Sequence, residues 1–147
     1  MTMDEKDIQI LKYLLTDARQ SARQLSLRMG ISTVTVLSRI KKLEEEKIIQ
    51  GYSVRLDHES LGYGLTAVIE ITTNQGKMLE IENHIAKQDN VISVYDITGN
   101  ADILVIAKFK DRKSLSSFVK ELSAVPNVEN TVTHIVLNTI KEDDRLI

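Results

Sequence analysis

Ser21-Ala22-Arg23-Gln24-Leu25-Ser26-Leu27-Arg28-Met29-Gly30-Ile31-Ser32-Thr33-Val34-Thr35-Val36-Leu37-Ser38-Arg39-Ile40-Lys41-Lys42-Leu43 is the stretch whose reading decides the fold. Ser21 and Gln24 have the spacing of a capping box, in which each side chain satisfies the other residue's backbone N–H at a helix start. A short helix follows, with Leu25 and Met29 turned to a core, until Gly30 stops it. Ile31 is an apolar turn residue. Ser32 then caps a second helix, on which Val36, Ile40 and Leu43 recur at i, i+4 and i+7 and so share one buried face. Upstream, Ile8, Leu11, Leu14 and Leu15 predict a further helix from about Asp4 to Thr16, opened by a capping box over Thr2 to Glu5. Three helices with a tight Gly-containing turn between the last two make a helix-turn-helix.

Beyond Leu43 the acidic run Glu44 to Glu46 ends the helix, and residues 48–56 alternate weakly, as a strand or linker. After Gly62 the periodicity changes from helical to twofold. Leu65, Ala67, Ile69 and Ile71 alternate with Thr66, Val68, Glu70 and Thr72 as a strand; Met78, Ile81 and Ile85 mark a helix. Residues 91–98 and 103–109 are strands joined through Gly99-Asn100-Ala101-Asp102, Leu115 to Leu122 is a helix broken by Pro126 and Asn127, and 128–137 is the last strand. The order β-α-β-β-α-β predicts a ferredoxin-like α+β domain behind the helix-turn-helix. Domain limits are set at 1–47, 48–62 for the strand or linker, and 63–147. On the third strand Ile103, Val105, Ala107 and Phe109 fall on one face and Leu104 and Ile106 on the other. Both faces therefore call for burial, and the sheet is expected to pack against a second subunit.

The formal charge of −2 conceals an asymmetry. Residues 1–57 carry ten Lys/Arg against eight Asp/Glu, whereas 58–147 carry nine against thirteen. Arg19, Arg23, Arg28, Arg39, Lys41 and Lys42 crowd one short stretch, which leaves a basic footprint for DNA on an acidic protein. The absence of Cys excludes disulfides, thiolate metal sites and a Cys nucleophile. No signal-like or membrane-length apolar run is present, so a soluble, cytoplasmic protein without membrane contact is expected. His58, His84 and His134 are scattered with no metal-ligand spacing, and neither a phosphate loop nor a partnered nucleophile occurs. No metal, cofactor or catalytic residue is assigned, and the chain is read as a non-enzyme.

Asp4-x-x-Asp7-x-x-Ile10-Leu11, Asp17-Ala18-Arg19-x-Ser21, Gly30-Ile31-Ser32, Val36-x-x-Arg39-Ile40-x-x-Leu43-Glu44, Ile49-x-Gly51-Tyr52, Leu61-Gly62 and Gly99-x-x-Asp102 stand in this order along nearly the whole chain. In order and spacing they resemble the Lrp/AsnC (leucine-responsive, feast/famine) transcription regulators. One departure is Lys47, where that family usually has Gly after the recognition helix.

The resemblance implies a sequence-specific DNA-binding regulator that dimerises through its C-terminal domain and assembles further into tetramers or octamers. Steps of about 100° per residue put Val34, Ser38, Lys41 and Glu45 opposite the core face of the second helix, flanked by Thr35, Leu37 and Lys42. Thr33, Val34, Thr35 and Ser38 are then the candidates for reading base edges, with Lys41, Lys42 and Arg23 for phosphates. Arg39 lies beside the core face and suits either role. In the resembling family the Gly99–Asp102 turn lies at a subunit interface that takes amino acids or related metabolites. This makes Gly99, Asn100, Ala101 and Asp102 effector candidates, with Thr131 and Thr133 of the last strand as secondary ones; turn N–H groups would hold a carboxylate and an acid an ammonium. Two other readings share the fold: a general chromatin-organising protein, and a sirohaem-decarboxylase-like enzyme, against which the acidic C-terminal half argues.

Overall fold

The computed structural model describes residues 3–74 and 78–147. They form two compact units, one of Met1–Arg55 with Lys141–Ile147 and the other of Leu56–Ile140.

In the first unit α1 (Glu5–Thr16), α2 (Ala22–Met29) and α3 (Thr33–Glu45) bury Ile10, Leu25, Val36 and Leu43 completely. Each such side chain contributes about 1.5–3 kcal/mol by leaving water. Ile10 is the residue of α1 that reaches the centre, while Leu15 stays 40 % exposed. The capping box of α2 forms as its spacing predicts, with Gln24 N donating to Ser21 Oγ at 3.1 Å and Ser21 N to Gln24 Oε1 at 2.8 Å. The box of α1 sits two residues later than expected. Asp7 N donates to Asp4 Oδ1 at 2.9 Å and Asp4 N to Asp7 Oδ2 at 3.1 Å. Thr2 lies outside the described residues.

Gly30 closes α2 in the left-handed region (φ 65°), and Ser32 Oγ accepts from Thr35 N to open α3. At the far end of α3, Ile48 N reaches back to Leu43 O (2.9 Å) and Lys47 N to Glu44 O (3.0 Å), which is a Schellman closure. Lys47 itself has φ 59°, so a residue with a Cβ occupies the left-handed position. Lys47→Gly should therefore raise stability by up to about 1 kcal/mol, the strain relieved exceeding the extra chain entropy of Gly. A rise in thermal midpoint checks this; a fall would show that the strain is negligible.

Residues 48–56 form no strand within the chain; Tyr52 donates its hydroxyl to Glu44 Oε1 at 2.9 Å. Lys141–Ile147 cluster with this unit. Arg55 Nη2 donates to Glu142 O at 3.2 Å and Arg55 Nη1 lies 3.9 Å from Asp143.

The second unit runs β1 (Leu65–Thr73), α4 (Met78–Ala86), β2 (Val91–Asp96), β3 (Ile103–Phe109), α5 (Arg112–Ser123) and β4 (Val128–Ile135). Its sheet is antiparallel in the order β2-β3-β1-β4, as the ferredoxin-like pattern requires. Ala67, Ile69 and Ile71 of β1 and Ile103, Val105, Ala107 and Phe109 of β3 meet Ile81, Ile85, Leu115, Phe118 and Leu122 of the helices. Phe109 and Phe118 touch with ring centroids 5.2 Å apart. On the other face Val68, Leu104 and Ile106 are half-buried, and Ile92, Tyr95 and Val132 are 43–50 % exposed. His134 Nε2 and Glu70 Oε2 meet there at 3.0 Å. This face is apolar at its centre and open within the chain.

Candidate nucleic-acid interface

Burial of Val36 and Leu43 turns the opposite face of α3 outward, where Val34 is 75 % and Leu37 54 % exposed. Exposed aliphatics beside polar groups on a well-capped helix suit a surface that meets a partner with apolar spots, such as thymine methyls in a major groove. Val34, Thr35, Ser38, Arg39 and Lys42 line one open groove along α3, closed on its other side by Asp4 and Asp7. The groove thus brings together four of the seven DNA candidates, Val34, Thr35, Ser38 and Lys42, while Thr33 at the start of the same helix donates to Ser26 Oγ at 3.2 Å. Lys41 is turned along the helix to Glu45, 3.7 Å away, and both side chains are largely exposed, a pair too weak to hold it from a phosphate. Arg23 is exposed in the first turn of α2. Arg28, by contrast, lies over the Tyr13 ring at 5.6 Å.

Arg39 resolves as a clamp. Its Nη1 lies 2.7 and 2.8 Å from the two oxygens of Asp4 and 2.7 Å from Asp7 Oδ1. The Asp7 side chain is only 3 % exposed. One guanidinium therefore ties the N-terminus of α1 to the middle of α3 and neutralises charge on the wall of the groove. Sequence reasoning missed the partners, although the pair Asp4-x-x-Asp7 at a helix start was visible.

The Asp4 carboxyl is held below its ordinary value, first by the Asp7 N–H and next by the Arg39 guanidinium. A carboxyl lowered in this way contributes stability at every pH above its unfolded value, and the contribution disappears as pH falls through the folded one. The unit should hold its stability down to about pH 4 and lose it below. Asp4→Asn should flatten that acid limb in urea titrations at several pH values; an unchanged limb would assign the acid loss to other carboxyls. Partial burial and then Glu44 push the Tyr52 phenol up to about 12, so it remains a donor to Glu44 at neutral pH.

In the second unit Gly99, at φ 119°, and Asn100 are exposed at the β2–β3 turn. Asp102 is committed: its Oδ2 accepts from Thr73 N at 2.7 Å and Thr73 Oγ1 at 3.2 Å, and its N donates to Ile71 O. It therefore shapes the turn as well as offering its remaining oxygen. Thr131 and Thr133 pair with Ile71 and Ile69, which puts them on the helix-covered face and not in the turn. Thr131 Oγ1 is 3.3 Å from Ser123 Oγ of α5. No group of three or more His, Asp or Glu side chains gathers as metal ligands among the described residues.

Two family models match the chain: the winged helix-turn-helix DNA-binding model over residues 3–50 and the Lrp/AsnC ligand binding domain over residues 66–146. The chain belongs to the Lrp/AsnC family. An HTH-type transcriptional regulator of Pyrococcus horikoshii is 46 % identical over 99 % of both chains. The HTH-type transcriptional regulator FL11 of Pyrococcus abyssi is 35 % identical over 99 % of this chain and 97 % of its own. Among solved structures, transcriptional regulator NMB0573 of Neisseria meningitidis in its L-Met complex superposes with a TM-score of 0.91 at 32 % identity, covering 99 % of this chain and 97 % of that one.

This Lrp/AsnC protein is accordingly a DNA-binding transcription regulator carrying a ligand-binding domain, and the relatives it matches are named as transcriptional regulators. No helix among the described residues is long and apolar enough to cross a membrane.

Proposed function

We propose that this regulator binds DNA as a homodimer joined through the open faces of two sheets, with one α3 entering the major groove at each half-site. The observation that carries this reading is the exposed, polar-and-apolar face of α3, set in place by the Arg39 clamp. Thr33, Val34, Thr35 and Ser38 read base edges, while Lys41, Lys42 and Arg23 hold phosphates. The apolar centre of the outer sheet face, around Val68, Leu104 and Ile106, supports the dimer, because an isolated antiparallel sheet keeps one face polar. Dimers associate further into tetramers or octamers. An amino acid or related metabolite binds at the turn 99–102 and shifts the protein between assemblies of different DNA affinity. The ligand-binding family model and the L-Met complex of the Neisseria relative support this last part.

Footprinting tests the reading. Two protected half-sites about 34 Å apart are expected for the intact protein, with weak single-site protection for Ile106→Glu, whose carboxylates would oppose each other in the dimer. A single protected site for both proteins would refute the dimeric mode.

A further inference from the structure

A groove runs between α5 and the edge strand β4 of the second unit, away from the turn at 99–102. Leu65, Leu115, Val119 and Ile135 make an apolar floor, and Arg112, Ser116, Lys120 and Thr133 stand around it. The helical register explains this grouping: positions 112, 115, 116, 119 and 120 fall on one face of α5. Arg112 and Lys120 are eight residues apart, about 12 Å along the helix axis, so a cation stands at each end. Both are exposed, and neither side chain has an ion pair or hydrogen-bond partner among the described residues. Their free state is notable because residues 56–140 carry only seven Lys/Arg against eleven Asp/Glu.

An apolar trough with unpaired cations selects for a particular chemistry. Water gains little on the floor, and an anion at the lip gains charge-assisted hydrogen bonds in a partly desolvated setting. A hydrophilic dianion would leave the floor uncovered, and a neutral hydrocarbon would leave the cations unused. We propose that this groove binds a small amphipathic carboxylate, its chain lying on Leu65, Leu115, Val119 and Ile135 and its carboxylate taken by Arg112 or Lys120. Thr133 supplies a hydroxyl on the strand side. The site is separate from the effector turn and does not depend on that turn's role.

Calorimetric titration of the full chain with octanoate tests it, with 1-octanol as the uncharged probe. Saturable octanoate binding is expected, at least tenfold tighter than 1-octanol. Arg112→Ala combined with Lys120→Ala should weaken it at least tenfold, and Ser116→Glu should abolish it by placing a like charge at the lip. All three positions are exposed, so circular dichroism should show an unchanged fold. Absence of octanoate binding overturns the proposal, as does equal binding of the alcohol or binding that survives Ser116→Glu. If the double variant loses DNA affinity while octanoate never binds, the two cations are phosphate contacts instead.

Discussion

Ser38→Glu is expected to weaken DNA binding by about a hundredfold per half-site without changing the fold. Ser38 is exposed on α3 between Val34 and Lys42 in the groove, so its replacement loses a hydrogen-bonding hydroxyl and sets a carboxylate against the duplex. A lost base contact costs about 1–3 kcal/mol, and a misplaced like charge adds to it; each 1.4 kcal/mol is about tenfold. In a dimer the two half-sites multiply, so the full operator should lose far more. Adding Lys41→Ala should deepen the loss modestly, through one phosphate contact. Anisotropy titrations with Ser38→Glu and with Lys113→Ala, a substitution on α5, separate the effects: only the first should weaken binding. Unchanged affinity for Ser38→Glu would mean that α3 presents another face.

The second large effect is on stability. Arg39→Ala should destabilise the helix-turn-helix unit by about 3 kcal/mol, because it leaves Asp7 buried without its counter-charge and removes the tie between α1 and α3. Arg39→Lys should recover only part, since an ammonium cannot match the guanidinium's reach to both carboxylates. Removing all three charges together, as Asp4→Asn, Asp7→Asn and Arg39→Met, should cost less than Arg39→Ala alone. With two units the unfolding is not one transition, so the reading should come from amide hydrogen exchange within α1 and α3. A loss below about 1 kcal/mol in Arg39→Ala would show that water already screens the clamp.

Local signals carried most of the architecture. Ser21 with Gln24, Gly30 and Ser32 define the turn between α2 and α3 through bonds spanning three to five residues, and these are legible in any sequence. The strands followed from twofold alternation because the helices bury one face of the sheet. What escaped was non-local or competitive. Thr2–Glu5 and Asp4–Asp7 offer rival boxes two residues apart, and Asp4–Asp7 forms with the added support of Arg39 from thirty-five residues away. Ile8, Leu11 and Leu14 share the helical period with Ile10, yet only the tertiary packing of the unit selects Ile10 as the buried residue. The contacts of Arg55 with Glu142 and Asp143, more than eighty residues away, carry no local pattern. At the effector turn, spacing located the glycine, but the bond from Asp102 to Thr73 depends on where β1 ends.

Selection of binding sites from a random duplex pool, followed by titration of the best site and its shuffled version at about 50 mM and about 200 mM salt, tests the central claim most directly. Preference for the selected site is expected at both concentrations, with weaker binding of both duplexes at the higher one, since bases specify and phosphates hold. Equal affinity for the two duplexes, or no binding to either at low salt, would contradict it.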